Sequence, residues 1–411
     1  MNCLVLFVMK KIKYYIAILQ VFTCFSLSAQ IAIKADLVYT VSSAPIRDGV
    51  VLIKGGKIQT VGSASSVKIP SDYKLITAKV VTPGLIDART VIGMSGYLNI
   101  PADQDQIEKS SPIQPELRAI DAYNPDERLV RAARELGVTT MQTGHGIGAL
   151  VSGQTMIVKT KKGTAESVAI KPLSMLAMTL GPSVSGYYSS PGTKAKQVSM
   201  IRAELIKAGD YSKKMSDKDT TKRPAFDMKM DVLSKMLKGE IKALITANTS
   251  VDIMNAIRLS REFGFKLVLD GAAEAYLLID EIKKAKAEII LHPVMARNEG
   301  DMLNMNRESA MILTKAGIPV SIESGYEGYV PKTRIILYEA AMAVAYGLPY
   351  EESLKAVTMN PATLLGIDKQ VGSLEKGKDA DVVLYDGDPF EYTSHVCHVI
   401  IDGEVVYEGC Q

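Results

Sequence analysis

The chain has 411 residues, 47% of them apolar, enough for one large domain with an accessory or for two ordinary domains with a sizeable core. Its formal net charge of +3 rests on the first 29 residues, which carry Lys10, Lys11 and Lys13 and no acidic group. Without them the balance is +3 − 3 = 0, which gives no electrostatic reason to expect nucleic acid or an anionic membrane as partner.

The chain opens on those three lysines, a mostly apolar stretch at 14–25, and small residues at Ser26, Ser28 and Ala29 ahead of Gln30. The pattern predicts a bacterial-type signal peptide over 1–29, cleaved after Ala29, and a periplasmic or extracellular mature protein. Leu27 departs from the small residue favoured at that position, and the apolar residues 1–8 ahead of the lysines fit a true start at Met9. An N-terminal membrane anchor is the plainer alternative. Cys24 in Val-Phe-Thr-Cys makes a poor lipid-attachment motif, and no internal run reaches transmembrane length.

Residues 30–80 alternate apolar and polar in short runs, 50–54 and 58–61, split by Gly55-Gly56, and predict a β meander. Beyond residue 80 strands alternate with helices. Asn124 as N-cap and Pro125 at the first helical position start a helix with Leu129, Ala133 and Leu136 on one face, and Gly137 ends it before a strand at 138–141. A strand at 242–246, a helix from Ser250 to Gly264, a strand at 266–269, a helix at 274–287, a strand at 289–291, a helix ending near Ala316 and a strand at 319–322 follow. Such βα repetition points to a parallel sheet closed into a barrel, with a doubly wound open sheet as the other solution. The lysine-rich stretch near 205–240 interrupts the rhythm as a solvated helical hairpin or a lid. The C-terminal residues from 369 return to strands, with a hairpin of 399–401 and 404–407 turning at Asp402-Gly403. In that register Cys397 faces Glu408, so a disulfide with Cys410 requires the C-terminus to bend back.

Three segments carry a resemblance. Val81-Thr82-Pro83-Gly84-Leu85-Ile86-Asp87-Ala88, the Gly55-Gly56-Lys57-Ile58 run with Val61-Gly62, and the stretch from Asn360-Pro361-Ala362 through Gly372-Ser373-Leu374-Glu375-Lys376-Gly377-Lys378-Asp379-Ala380-Asp381 resemble, in order and spacing, the amidohydrolase superfamily, nearest its imidazolonepropionase-like branch. The resemblance implies an α/β fold: a (β/α)8 TIM-type barrel over 81–368 and a small β-sandwich built from 30–80 and 369–411. It also implies a divalent metal held by two histidines after the strand-1 Asp, by histidines on strands 5 and 6, and by an Asp on strand 8. Those positions here carry Arg89 and Val91, Thr246, Asp270 (or Gly271, with a one-residue slip) and Gly325. A guanidinium is a permanent cation without a free lone pair, and valine offers no ligand atom. No cofactor is therefore expected, and a metal such as zinc enters only at an unconventional site.

The remaining strand-end groups become the candidates. His145, Asp270, His292 and Glu323 are candidates for acid–base work or an unconventional metal, and Arg89, Gln154, Arg297 and Tyr326 for ligand binding. Arg89 either pairs with Asp270 or Glu323 or clamps a carboxylate ligand. His145 and His292 have the plainer reading of hydrogen-bonded structural histidines, and His395 and His398 belong to the sandwich surface. The aromatic rim 325–329 reads equally as a plain loop, and Asp103 and Asp105 lie in a loop able to reach the mouth. Three functions stay open: a degenerate barrel binding a small molecule, a hydrolase of C–N bonds with an unconventional site, and a structural subunit of the bacterial envelope. Homo-oligomerisation stays open as well.

Overall fold

The computed structural model describes residues 30–98, 100–327 and 333–410. The expected signal peptide and part of the rim after Glu327 lie outside them. None of the described helices is long and apolar enough to cross a membrane.

The N-terminal side supplies β1 (Ile31–Val38), β2 (Ile46–Lys54), β3 (Lys57–Ser63) and β4 (Lys74–Pro83). The centre supplies β5 (Leu85–Thr90), β6 (Val138–Thr143), β7 (Val151–Gln154), β8 (Met156–Lys159), β9 (Ala169–Lys171), β10 (Met175–Thr179), β11 (Lys242–Ala247), β12 (Leu267–Gly271), β13 (Glu288–Leu291) and β14 (Val320–Ile322). β15 (Val382–Tyr385), β16 (Val396–Ile401) and β17 (Glu404–Glu408) end the chain. The two ends meet where β15 pairs antiparallel with β4, and the expected sandwich is one seven-stranded sheet in the order β17-β16-β15-β4-β1-β2-β3. Alternation places Ile31, Ile33, Val51, Ile53, Val382 and Leu384 in its own apolar core.

The central strands divide into a six-stranded sheet, β14-β13-β12-β11-β10-β7, and a four-stranded one, β5-β6-β8-β9. Among the described residues the expected barrel is thus not closed as one parallel sheet. β7 and β8 are two halves of a run that changes partner at Thr155: β7 lies antiparallel to β10 and β8 antiparallel to β6. Across the gap between the β5 and β14 edges, the described residues form the single bridge Thr90–Gly325. Both sheets nevertheless share one interior. Ile86, Ala88, Ile157, Met175, Leu244, Val268 and Ile290 pack together with Ala362, Leu364 and Leu365 of the helix Met359–Leu365. The alternate residues Ala243, Ile245, Leu267, Leu269, Ile289 and Leu291 belong to the outer core under the helices.

Local signals explain most helices. α1 (Arg128–Glu135) begins later than expected, because Glu127 caps it by accepting from Leu129 N, while the Asn124 side chain is engaged by Asp126 N. α2 (Lys194–Met215) and α3 (Met228–Leu237) form the hairpin of the lysine-rich stretch, burying Ile201, Leu205, Ala208 and Tyr211 with Val232, Leu233 and Met236. α4 (Ser250–Phe263) runs from a Thr249 cap to Gly264 in the left-handed region. The expected helix at 274–287 is split into a 3-10 turn, Ala275–Leu277, and α5 (Ile279–Ala285).

Two covalent or ionic ties hold the terminal sheet. Lys159, buried at the end of β8, meets Asp381 at 2.6 Å, Asp402 at 3.2 Å and Asp379 at 3.3 Å. Burial disfavours its charge, but the three carboxylates outweigh that cost and raise its pKa. At the C-terminus a bulge between Val399 and Ile400 sets His398, not Cys397, opposite Glu408. Gly409 N donates to Cys397 O at 2.8 Å, the chain turns back, and Cys397 and Cys410 form a disulfide.

Candidate functional site

Parallel register brings the ends of β11–β14 to one rim. Thr246 lies beside Asp270, and the ladder continues past the strands: His292 N donates to Gly271 O at 3.0 Å and Glu323 N to Leu291 O at 3.2 Å. Asp270, His292 and Glu323 therefore occupy three consecutive strand ends, and Arg89 joins them from β5. These four line a cavity of about 490 Å³ together with Asn248, Arg297, Asp301 and Tyr326, a volume suited to a small organic ligand.

The cavity is strongly polar and deeply buried. Burial first, and then the neighbouring Asp270 carboxylate, push the Glu323 carboxyl well above the usual carboxylate range. Asp270 accepts from the Thr246 hydroxyl through Oδ2, while its Oδ1 is buried without a partner. His292 is 1% exposed, and its Nδ1 lies 2.8 Å from the Pro293 carbonyl oxygen. A carbonyl only accepts, so the neutral ring carries its proton on Nδ1 and leaves a lone pair on Nε2. Burial lowers its pKa to about 4, and that Nε2 has no partner. Asp87, just below, is spoken for: it accepts from Ser324 N at 3.0 Å and from the Ser324 hydroxyl, and burial raises it to about 6.

Arg89 does not take the expected alternative of pairing with Asp270 or Glu323. Its guanidinium donates to the main-chain oxygens of Thr90, at 3.0 Å, and His145, and forms no ion pair among the described residues. It is a fixed cation in the cavity wall, tied to backbone rather than to Asp270 or Glu323. The His145 ring is not part of the lining: it packs beside Gly153, and its carbonyl serves Arg89. Burial and then the Arg89 charge lower its pKa to about 4. Gln154 is also displaced from the cavity, because its side-chain amide donates to the Pro115 and Glu116 carbonyls of an outer loop. Arg297 and Tyr326 do line the cavity, and the Tyr326 hydroxyl accepts from Gln106 at 3.2 Å. Asp103, Asp105 and residues 205–240 contribute nothing to the described lining, and His395 pairs with Asp386 on the surface.

Sequence reasoning missed Asn248 and Asp301. Asn248 Nδ2 donates to Asp301 at 3.1 Å, and its Oδ1 is buried without a partner. The i, i+2 alternation from Thr246 was the available signal, since Asn248 follows it at the same strand end.

Asp270, His292, Glu299, Asp301, Glu323 and Glu327 are the ligand-type side chains of the cavity lining. Among the described residues, the one trio of His, Cys, Asp or Glu atoms within 4.8 Å of one another is Asp386 with Cys397 and Cys410, whose cysteines are disulfide-bonded. The cavity groups are thus too dispersed for three of them to share one ion in this arrangement.

The family model described as "Amidohydrolase family" matches residues 80–406. The amidohydrolase tasK of Hapsidospora irregularis is 23% identical over 394 residues, which are 88% of this chain and 40% of that protein. An imidazolonepropionase of Rhizorhabdus wittichii is 25% identical over 370 residues, 83% of this chain and 88% of its own. The crystal structure of an amidohydrolase from Thermotoga maritima MSB8 superposes with a TM-score of 0.87 at 29% identity, covering 92% of this chain and all of the other (100%). The chain belongs to the amidohydrolase family and is similar over most of its length to imidazolonepropionases.

Proposed function

We propose that this chain is an exported amidohydrolase-family protein that binds a small molecule in the strand-end cavity and does not hydrolyse by the metal route. The observation that carries the reading is the occupancy of the ligand positions: Arg89 and Val91, Thr246 and Gly325 stand where the family implies metal donors. At those positions a divalent cation finds no imidazole lone pair to hold it. Export is supported by the basic, apolar and small-residue succession of 1–29 and by the Cys397–Cys410 disulfide, a bond that persists in oxidising compartments. A cavity with buried polar groups also weighs against a purely structural subunit.

The test is turnover. Cyclic amides, N-acyl amino acids and dipeptides should be cleaved no faster than in buffer, with or without added Zn²⁺, Mn²⁺ or Fe²⁺. Cleavage that appears with metal and vanishes with chelator would overturn the reading. A second reading, hydrolysis of C–N bonds by acid–base chemistry without metal, is favoured by one feature. Burial and Asp270 push the Glu323 carboxyl toward its protonated form, and burial lowers the His292 pKa to about 4, so groups suited to acid and base roles line the same cavity. That reading requires chelator-resistant turnover lost in Asp270→Asn and His292→Ala.

A further inference from the structure

The walls of the cavity specify the hydrogen-bonding character of what enters it. Three of its buried polar atoms have no partner: His292 Nε2, Asp270 Oδ1 and Asn248 Oδ1. All three are acceptors. His292 has committed its proton to Pro293, a carboxylate donates nothing, and Asn248 has turned its amide hydrogens toward Asp301. Their residues are 1%, 2% and 5% exposed, and a buried acceptor left unpaired costs about 1–3 kcal/mol. Three on one cavity wall form a site lacking its donors.

Charge points the same way. Asp270, Glu299, Asp301, Glu323 and Glu327 face Arg89 and Arg297 around the lining. Glu327 is paired with Arg334 and Arg89 is tied to backbone, yet an acidic surplus remains even with Glu323 protonated. A spherical metal ion does not suit the spacing, because the ligand atoms of Asp270, His292 and Glu323 do not all fall within 4.8 Å of one another. A planar cation with N–H groups on several edges reaches acceptors that one ion cannot. A larger, more open hollow of about 900 Å³ beside α4 has no such demand. There Lys194 meets Asp252, Glu274 accepts from Ser250 N and Asn304, and Arg307 lies over Tyr346.

Resting on the reading that the cavity holds a small molecule, we propose that its ligand is an organic cation rich in N–H donors, a guanidinium or amidinium, bound by His292, Asp270 and Asn248.

The experiment uses the chain from Gln30 onward with four probes: methylguanidinium, agmatine, the neutral isostere methylurea, and the anion N-acetylglycine. Calorimetry reads affinity, and ¹⁵N NMR reads the His292 ring. The two cations should bind at least about tenfold tighter than methylurea, the scale of one charge-assisted hydrogen bond. They should also move the His292 Nε2 resonance. Asp270→Asn should weaken agmatine by about tenfold or more at an unchanged thermal transition; if that variant unfolds, the wild-type panel decides alone. Methylurea or N-acetylglycine binding as tightly as the cations, with the same His292 shift, overturns the cation proposal and leaves the small-molecule reading standing. Failure of both cations to bind at tens of millimolar also overturns it. Metal-dependent turnover, by contrast, would be the failure of the underlying reading.

Discussion

His292 illustrates how burial, rather than a charged partner, sets the chemistry of a residue in this cavity. Its folded pKa near 4 lies below the unfolded value of 6.5, so between those values the unfolded chain binds the proton that the folded chain refuses. Stability is lost as pH falls through that window. Asp87, Glu339 and Glu323 act in the opposite sense. Their raised pKa values make the folded state hold protons the unfolded state has released, so their contribution is lost as pH rises. Replacing His292 by Gln removes one acid-sensitive group alone. Relative to the parent, the variant should gain about 2 kcal/mol between pH 7.5 and pH 5, read from urea unfolding at both values; an offset independent of pH would contradict the assigned ionisation. Asp270, His292 and Glu323 were legible as cavity residues because each sits at a strand end, and Arg297 and Tyr326 because they lie in the loops that follow β13 and β14. Arg89 was legible in place but not in partner, since its two carbonyl acceptors depend on a loop path that no sequence spacing encodes.

The strand ends also explain a constraint on the backbone. Gly271 closes β12 with φ at 72°, and a Cβ there would stand 2.5 Å from Asn248 Oδ1. Gly271→Ala combines left-handed strain with displacement of an acceptor proposed to hold ligand. It should cost about 1–3 kcal/mol in stability and weaken agmatine binding besides, whereas loss of stability with unchanged affinity would detach Asn248 from the ligand. Strands β11–β14 and the Asp402-Gly403 turn were readable from alternation and turn chemistry. The β7–β8 run was not. Its short apolar stretches give no sign of direction, and because it runs antiparallel to its neighbours, Gln154 does not point where a residue following a parallel strand would. Periodicity likewise missed the break at Leu278 between the 3-10 turn and α5, where the apolar spacing continues while the backbone does not.

Over the whole molecule, the terminal sheet and the barrel-like centre are joined by pairings far apart in sequence. β4 with β15, and Lys159 with Asp379, Asp381 and Asp402, fix the two ends of the chain against the central strands. The segments that carry the family resemblance include these contacts. Architecture in this chain resides in turns, alternation and buried ion pairs; on the proposed reading, the metal chemistry implied by the resemblance is lost through a handful of strand-end residues, Arg89, Val91, Thr246 and Gly325. The most direct test of the account is the metal content of the chain from Gln30 onward, purified without chelator or affinity-metal columns and measured by elemental analysis. The account predicts far less than one metal per chain, even after incubation with excess Zn²⁺, Mn²⁺ and Fe²⁺ followed by dialysis. A value close to one per chain, lost in Asp270→Asn or His292→Ala, would contradict it and identify an unconventional metal centre in the cavity.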